Sequence, residues 1–308
     1  MIDLTNKIFH NEDAAREHLE AQRWPDGPVC PHCGSRDVTK LEGSAHRKGV
    51  YQCKGKDCRE QFTVTVGSVM ERSHIPLTKW VMAIQLMAAS KKGVSAKQIE
   101  RMLGVSYRTA WFLMHRIREA MNGMPSTGPL GGQNKVVEAD ETYVGGKAKN
   151  AHGDRVPPKH PVVTLVERDG EVRARHVPDV TAKNVREHLV TMASRKSYLM
   201  TDDAPVSHSV GREFAGHGAV NHSADEYVRL GGFIHVNTAE SYHALVKRSI
   251  FGSWHAVSEQ HLQRYIDEIS FRWNTRIALG FDDTIDIRGG AGPQRIKDLA
   301  RAVVGDRA

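Results

Sequence analysis

The spacing of apolar positions changes several times along this chain. From Pro76 to Ala89 a helical period puts Trp80, Ile84, Met87 and Ala88 on one face. Ser95-Ala-Lys-Gln98 is a capping box opening a short helix with Ile99, Met102 and Leu103, which Gly104 stops. Ser106 caps a third helix whose apolar stripe is Ala110, Leu113, Met114 and Ile117. Two short helices joined through Gly104-Val105 are a helix-turn-helix pattern, and Arg108, Trp111, His115 and Arg118 fall on the third helix away from its stripe. Upstream, VTKLEG, VYQCK and EQFTVTVG read as short strands.

The periodicity then disappears. Residues 122–134, NGMPSTGPLGGQN, carry four glycines and two prolines and mark a domain boundary. Beyond it, KVVEADETYVGG alternates, with Val136, Glu138, Asp140 and Thr142 on one strand face and Val137, Ala139, Glu141 and Tyr143 on the other. After a Gly/Lys-rich loop, PVVTLVERDG and EVRARHV are two strands joined through Asp169-Gly170, a hairpin signal. Thr181 caps a helix running to about Arg195, and YLMTDD is a fourth strand. A helix beginning near Thr238 turns Tyr242, Leu245, Val246, Ser249 and Ile250 inward, and Glu240, His243, Ala244 and Lys247 outward. A last helix, from about Ser258 to Arg276, places Leu262, Tyr265, Ile266, Ile269 and Trp273 at core spacing, with Arg264, Arg272 and Arg276 as candidate contacts to a nucleic-acid backbone. A short helix is expected near 293–304 within the otherwise Gly- and Asp-rich tail.

Composition adds a class. With 308 residues, 40% hydrophobic and 26% charged, the chain is an ordinary globular one, and no apolar run approaches the roughly 18 residues of a membrane span. Its start does not resemble a signal peptide, so a cytoplasmic, nucleoid-associated protein is expected. Of the net +7, residues 1–121 hold +6, from 19 Lys and Arg against 13 Asp and Glu. That bias fits a nucleic-acid partner, although an acidic protein or membrane surface would also attract it.

The four cysteines are clustered: Cys30 and Cys33 form a knuckle, and Cys53 and Cys58 supply a second pair after 19 residues. Four thiolates can close a tetrahedral structural Zn²⁺ site in a ribbon of short strands. Two disulfides are the competing arrangement, disfavoured without a sign of secretion. His32, inside the knuckle, is expected to point outward. At the third helix, Tyr107 and Arg108 would meet base edges, with His115 and Arg118 on the same basic face. Downstream, acids on two strand ends and a helix start, Glu138 or Asp140, Asp202 or Asp203, and Glu240, are what a two-metal phosphoryl-transfer site needs. The competing reading is a solvated strand face and an ordinary intrahelical charge pair.

The order strand, hairpin strand, strand, helix, strand matches a ribonuclease-H-like topology, in which strands one and four are central neighbours. The chain resembles the bacterial insertion-sequence transposases that join a zinc ribbon to a helix-turn-helix and a DDE catalytic domain. The residues that carry the resemblance are CPHCG, VEADETYVGGK, MTDDA, NTAESYHALVKR and HLQRYIDEISFRWNTR, over positions 30–276. The resemblance implies Asp140, Asp202 and Glu240 as the catalytic acids, binding two Mg²⁺ or Mn²⁺ ions, with Glu138 and Asp203 as bystanders. It implies Lys247 and Arg248 against phosphate, double-stranded DNA at element ends and targets as partner, no membrane, and a dimer or higher assembly on DNA. Ser241-Tyr242-His243 departs modestly from the aromatic pattern usual after the glutamate.

The fold expected is therefore multidomain α+β. It comprises an N-terminal helix and zinc ribbon (1–70), a helix-turn-helix (71–121), a linker (122–134), a ribonuclease-H-like α/β domain with a mixed sheet (135–280) and a tail (281–308). The activity expected is metal-dependent strand cleavage and transfer at terminal inverted repeats. A non-catalytic DNA-binding regulator derived from such an enzyme, or a stand-alone nuclease, are the alternatives.

Overall fold

The computed structural model describes residues 4–122, 128–146, 158–203, 205–221, 226, 228–275 and 303. Residues 123–127 of the expected linker, most of the Gly/Lys-rich loop, Arg276 and, apart from Val303, the expected tail helix lie outside the described residues. The chain divides into two compact units, Met1–Met124 with Thr284–Ala308, and Pro125–Asp283. Among the described residues no helix is long and apolar enough to cross a membrane.

The first unit opens with α1 (Glu12–Arg23), capped by the Asn11 side chain, which accepts from Asp13 and Ala14 N–H. Strands β1 (Val38–Lys40), β2 (Tyr51–Cys53) and β3 (Gln61–Phe62) follow as an antiparallel sheet in that order. Its core is small: Cys30, Tyr51, Cys53 and Phe62 are buried, and Trp24 packs edge-on against Tyr51 and Phe62 at 5.4 and 5.8 Å. Then come α2 (Leu77–Ala89), α3 (Ala96–Leu103) and α4 (Tyr107–Met121). Ser95 and Gln98 form the expected capping box, and Gly104 ends α3 in the left-handed region at φ 59°, where a side chain would be strained. Pro76, before α2, has no side-chain oxygen to cap it; the Glu12 carboxylate accepts from Leu77 and Thr78 N–H instead, at 2.7 and 3.2 Å.

Three positions of this unit depart from expectation. Met102, expected in the stripe of α3, is 57% exposed, and Ile99 and Leu103 alone are buried there. His115 and Arg118, expected on a solvated basic face, are buried at 3 and 2%. The second half of α4 is covered on several sides: Arg116 donates to the carbonyls of Val69 and Glu71, at 2.6 and 3.2 Å, holding that segment against the helix. The Trp111 ring lies 4.1 Å from that of His115.

The second unit is built on β4 (Val136–Gly145), β5 (Lys159–Glu167), β6 (Val172–His176), α5 (Ala182–Met192), β7 (Tyr198–Asp202), α6 (Pro205–Gly211), β8 (Gly216–Val220), α7 (Asn237–Ser249) and α8 (Glu259–Asn274). The sheet is mixed, in the order β6-β5-β4-β7-β8, with β7 and β8 parallel to β4 and the β4-β5 and β5-β6 pairs antiparallel. Val137, Ala139, Val163 and Leu165 pack with Val185 and Leu189 of α5 on one face. Val144, Val162 and Val166 pack with Tyr242 and Val246 of α7 and with Leu262, Ile266 and Ile269 of α8 on the other.

Two details complete the sheet. Edge strand β6 would leave backbone groups unpaired, and side chains of α8 satisfy them. Val172 N–H donates to Asn274 Oδ1 and His176 N–H to Gln263 Oε1, both at 2.8 Å, while their amide nitrogens donate to Val172 and Ala174 carbonyls. The opposite edge, β8, was not expected from the sequence, because GHGAV has little strand propensity. Its glycines are there for close approach: a Cβ at Gly216 would lie 2.6 Å from the Tyr198 ring.

Candidate functional site

The parallel pairing of β4 with β7 aligns Val136 with Tyr198, Val137 with Leu199 and Glu138 with Met200. The pairing extends as far as Glu138 and Met200; Asp140 and Asp202, 62 positions apart in the chain, each lie two residues further along these neighbouring strands at the centre of the sheet. On the other side of β4, Asp140 is opposite Thr164. Asp203 is engaged elsewhere, accepting from His208 Nε2 at 2.7 Å and Asn221 Nδ2 at 3.0 Å.

Glu138, on the Asp140 face of β4, is completely buried. Its carboxylate accepts from Arg168 Nε at 2.6 Å, Thr238 N–H at 2.8 Å, Thr238 Oγ1 at 3.0 Å and Ala239 N–H at 3.1 Å, and His235 Nδ1 lies 3.2 Å away. Val236 stands at the N-cap position of α7 and has no side chain able to cap it. Glu138 therefore caps α7 from the sheet, with its charge at the positive end of the helix. Arg168 reaches on to the carbonyls of Phe233 and His235, fastening the approach to α7 as well. The first turn of α7, which carries Glu240, is thereby fixed over the strand that carries Asp140.

One turn after Glu240, His243 points the other way from expectation. Glu240, Ala244 and Lys247 are exposed, but His243 is 5% exposed and its Nδ1 lies 3.3 Å from Asp140 Oδ2. A helical wheel separates faces but does not say how wide the buried one is. Here the helix crosses β4, so Ala239, Tyr242, His243 and Val246 all face the sheet. Glu141, on the opposite strand face, shares the field of these acids: burial, then the charges of Asp202 and Asp140, push its carboxyl up to about 7.

Asp140, Asp202 and Glu240 are hard oxygen donors in a region already crowded with negative charge, which fits a divalent cation of the magnesium class. Their ligand atoms do not all lie within 4.8 Å of one another. Among the described residues the groups that do are the four cysteines and His160, His176 and Glu259. Thus Asp140 and Asp202 are carried by adjacent strands, each two residues beyond the last paired position, and Glu240 is on the helix turn preceding His243.

The cysteine site is compact. Cys30 and Cys58 sulfurs are 3.8 Å apart and those of Cys33 and Cys53 3.6 Å, and all four are free thiols rather than disulfides. Zn–S bonds of about 2.3 Å imply a tetrahedral S–S edge of about 3.8 Å, so the four sulfurs fit zinc. Gly55 N–H points to Cys53 Sγ at 3.4 Å, supporting the wider second knuckle, and His32 is exposed outside the group.

Of the residues expected to meet DNA, Tyr107 is 46% exposed and Arg108 is exposed at the start of α4, with Lys97 Nζ 4.9 Å from the Tyr107 ring centroid. Lys247 and Arg248 are exposed in the last turn of α7. His115 and Arg118 are not available to a ligand. Nor is Arg272, buried against Glu268, which it bonds one turn along α8, whereas Arg264 is exposed. The sequence contains the signal for that pair, since Glu268 and Arg272 are four apart, but not its burial.

Comparison with known proteins gives two family matches. The family described as the ISXO2-like transposase domain matches residues 129–274, and the transposase zinc-ribbon domain matches residues 10–61. An uncharacterized protein in transposable element ISH50 of Halobacterium salinarum is 28% identical over 291 residues, spanning 86% of this chain and 92% of its own. Among solved structures, similarity extends to a pre-cleavage Mos1 transpososome, at 14% identity and TM-score 0.27 over 72% of this chain and 78% of that one. A Mos1 transposase paired-end complex with the left transposon end gives 15% identity and TM-score 0.25, over 63 and 76%.

Proposed function

The chain belongs to the insertion-sequence transposases with an N-terminal zinc ribbon, and on that premise we propose that it cleaves and joins DNA at the ends of its own element. The observation that supports this reading is the parallel pairing of β4 with β7, the strands that carry Asp140 and Asp202, under a helix whose first turn holds Glu240 and which Glu138 anchors. The strand order and directions support a ribonuclease-H-like catalytic domain. Asp140, Asp202 and Glu240 hold the catalytic Mg²⁺ or Mn²⁺ ions. When bound, the metal supplies a nucleophile from water or a DNA 3′-hydroxyl and stabilises the departing oxygen.

The chain's own residues do the rest. His243 restrains the Asp140 carboxylate from the side of α7. Lys247 and Arg248, exposed on the same helix, attract DNA phosphates to the acids and offset the charge that three carboxylates present to a polyanion. No covalent intermediate is needed, since the four cysteines are grouped at the zinc site. In the first unit, α3 and α4 act as a helix-turn-helix, presenting Tyr107 and Arg108 to base edges while the zinc ribbon supports them, and so select the terminal inverted repeats. Two ends must be handled together, so the active form on DNA is a dimer or larger.

The test uses labelled DNA from the flanks of the gene with Mg²⁺ or Mn²⁺, comparing the full chain with Asp140→Ala. Metal-dependent nicking at one position and joining to a second DNA, both lost in the variant, is the expected result. Binding to those ends with no cleavage under either metal would instead make the chain a DNA-binding regulator.

A further inference from the structure

We propose that His160, His176 and Glu259 form a second transition-metal site, for a zinc-class divalent cation, which staples the first turn of α8 to the edge of the sheet. His160 and His176 belong to adjacent strands, with Val162 paired to His176, so that both side chains lie on the face covered by α8. Their rings meet edge to face at 5.8 Å. Glu259 is the first residue of α8, and its Oε1 is 3.7 Å from His160 Nδ1 and 4.0 Å from His176 Nε2. The three ligand atoms all lie within 4.8 Å of one another.

These separations are too long for hydrogen bonds, which an imidazolium and a carboxylate would form at about 2.7–2.9 Å. His176 Nε2 is buried and has no hydrogen-bond partner among the described residues, an arrangement that a bound cation resolves. Zn–N and Zn–O bonds of about 2.0–2.1 Å give a tetrahedral edge of about 3.4 Å, so the Glu259 carboxylate, at 3.7 and 4.0 Å, draws in towards both rings, and the two imidazole nitrogens, within 4.8 Å of each other, turn towards the shared ion. Glu259, 61% exposed, can supply its share of that movement.

The frame is already set: one turn along α8, Gln263 bonds the His176 N–H and the Ala174 carbonyl. Two imidazoles and one carboxylate suit zinc better than magnesium, unlike the all-carboxylate site around Asp140. Three protein ligands leave a fourth position for water.

Zinc content is measured by mass spectrometry on the full chain after dialysis, with Asp140→Asn in every protein so that the acidic site contributes little. The parent is expected to hold about two zinc ions per chain, one in the four-cysteine site, falling to about one in His176→Gln and in Glu259→Gln. Glu259→Gln changes an exposed group, and circular dichroism checks that it folds. Cobalt substitution separates the sites, because only the cysteine site gives a thiolate-to-cobalt charge-transfer band. Loss of a non-thiolate cobalt spectrum in both variants, with that band retained, supports the assignment. One zinc per parent chain, or equal content in parent and variants, overturns it.

Discussion

Glu138 and Asp140 lie two residues apart on one strand face and have opposite environments. Glu138 is fully buried, and Arg168 with the amides of α7 surround its charge, whereas Asp140 keeps 18% of its side-chain surface and touches His243. A buried acid with such partners is a structural anchor; the partly exposed Asp140 is the one the proposed function assigns to metal binding. Glu138→Ala leaves Arg168 without its carboxylate and α7 without its cap. Removing one member of a buried ion pair costs about 3–5 kcal/mol, so urea denaturation should show a loss of about 3 kcal/mol, together with loss of cleavage. A change below about 0.5 kcal/mol would mean that core packing alone docks α7. The alternation of this strand was legible in the sequence, and so were both acids. Periodicity alone did not separate them; the family resemblance set Glu138 aside as a bystander, but its anchoring role was not legible, because it depends on Arg168 and Thr238, which are remote in the chain.

At the scale of elements, capping was the most legible feature. Ser95, Ser106 and Thr181 each cap the helix that follows them, because the donor and acceptor are only a few residues apart. The two helices preceded by Pro76 and Val236 lack such a residue, and both are capped by a distant glutamate, Glu12 and Glu138. Strand β8 was hidden for a related reason: its glycines answer to the Tyr198 ring and Met200 on the neighbouring strand, not to local propensity. Gly216→Val would drive a branched side chain into that ring. Overpacking of this kind costs about 1–3 kcal/mol, so a lower urea midpoint with an unchanged slope is expected. An unchanged midpoint would mean that Tyr198, 39% exposed, simply swings aside.

At the scale of the whole molecule, the basic excess and the zinc ribbon fall in the same third of the chain, and the acidic site in the remainder. The ribbon's buried core is four residues with Trp24 against them, too little to hold a fold without its metal. Stripping zinc with a strong chelator should therefore expose residues 24–66 to proteases and abolish selective binding of element ends. The sheet unit should keep its circular dichroism. A ribbon that stayed protease-resistant after zinc had been removed, as verified by metal analysis, would refute this.

What the sequence by itself determined are the features satisfied within a few residues: helical stripes, caps, the cysteine knuckles, the hairpin at Asp169-Gly170 and the alternation that sets the β4 faces. Only the tertiary structure decided which polar side chains are covered. His115, Arg118, His243 and Arg272 share a charged or polar character with exposed neighbours such as Arg108, Lys247 and Arg264, yet they are buried. The physical reason is that burial depends on which distant element arrives over a helix face. A period of 3.6 residues identifies the face but carries no information about the arriving partner.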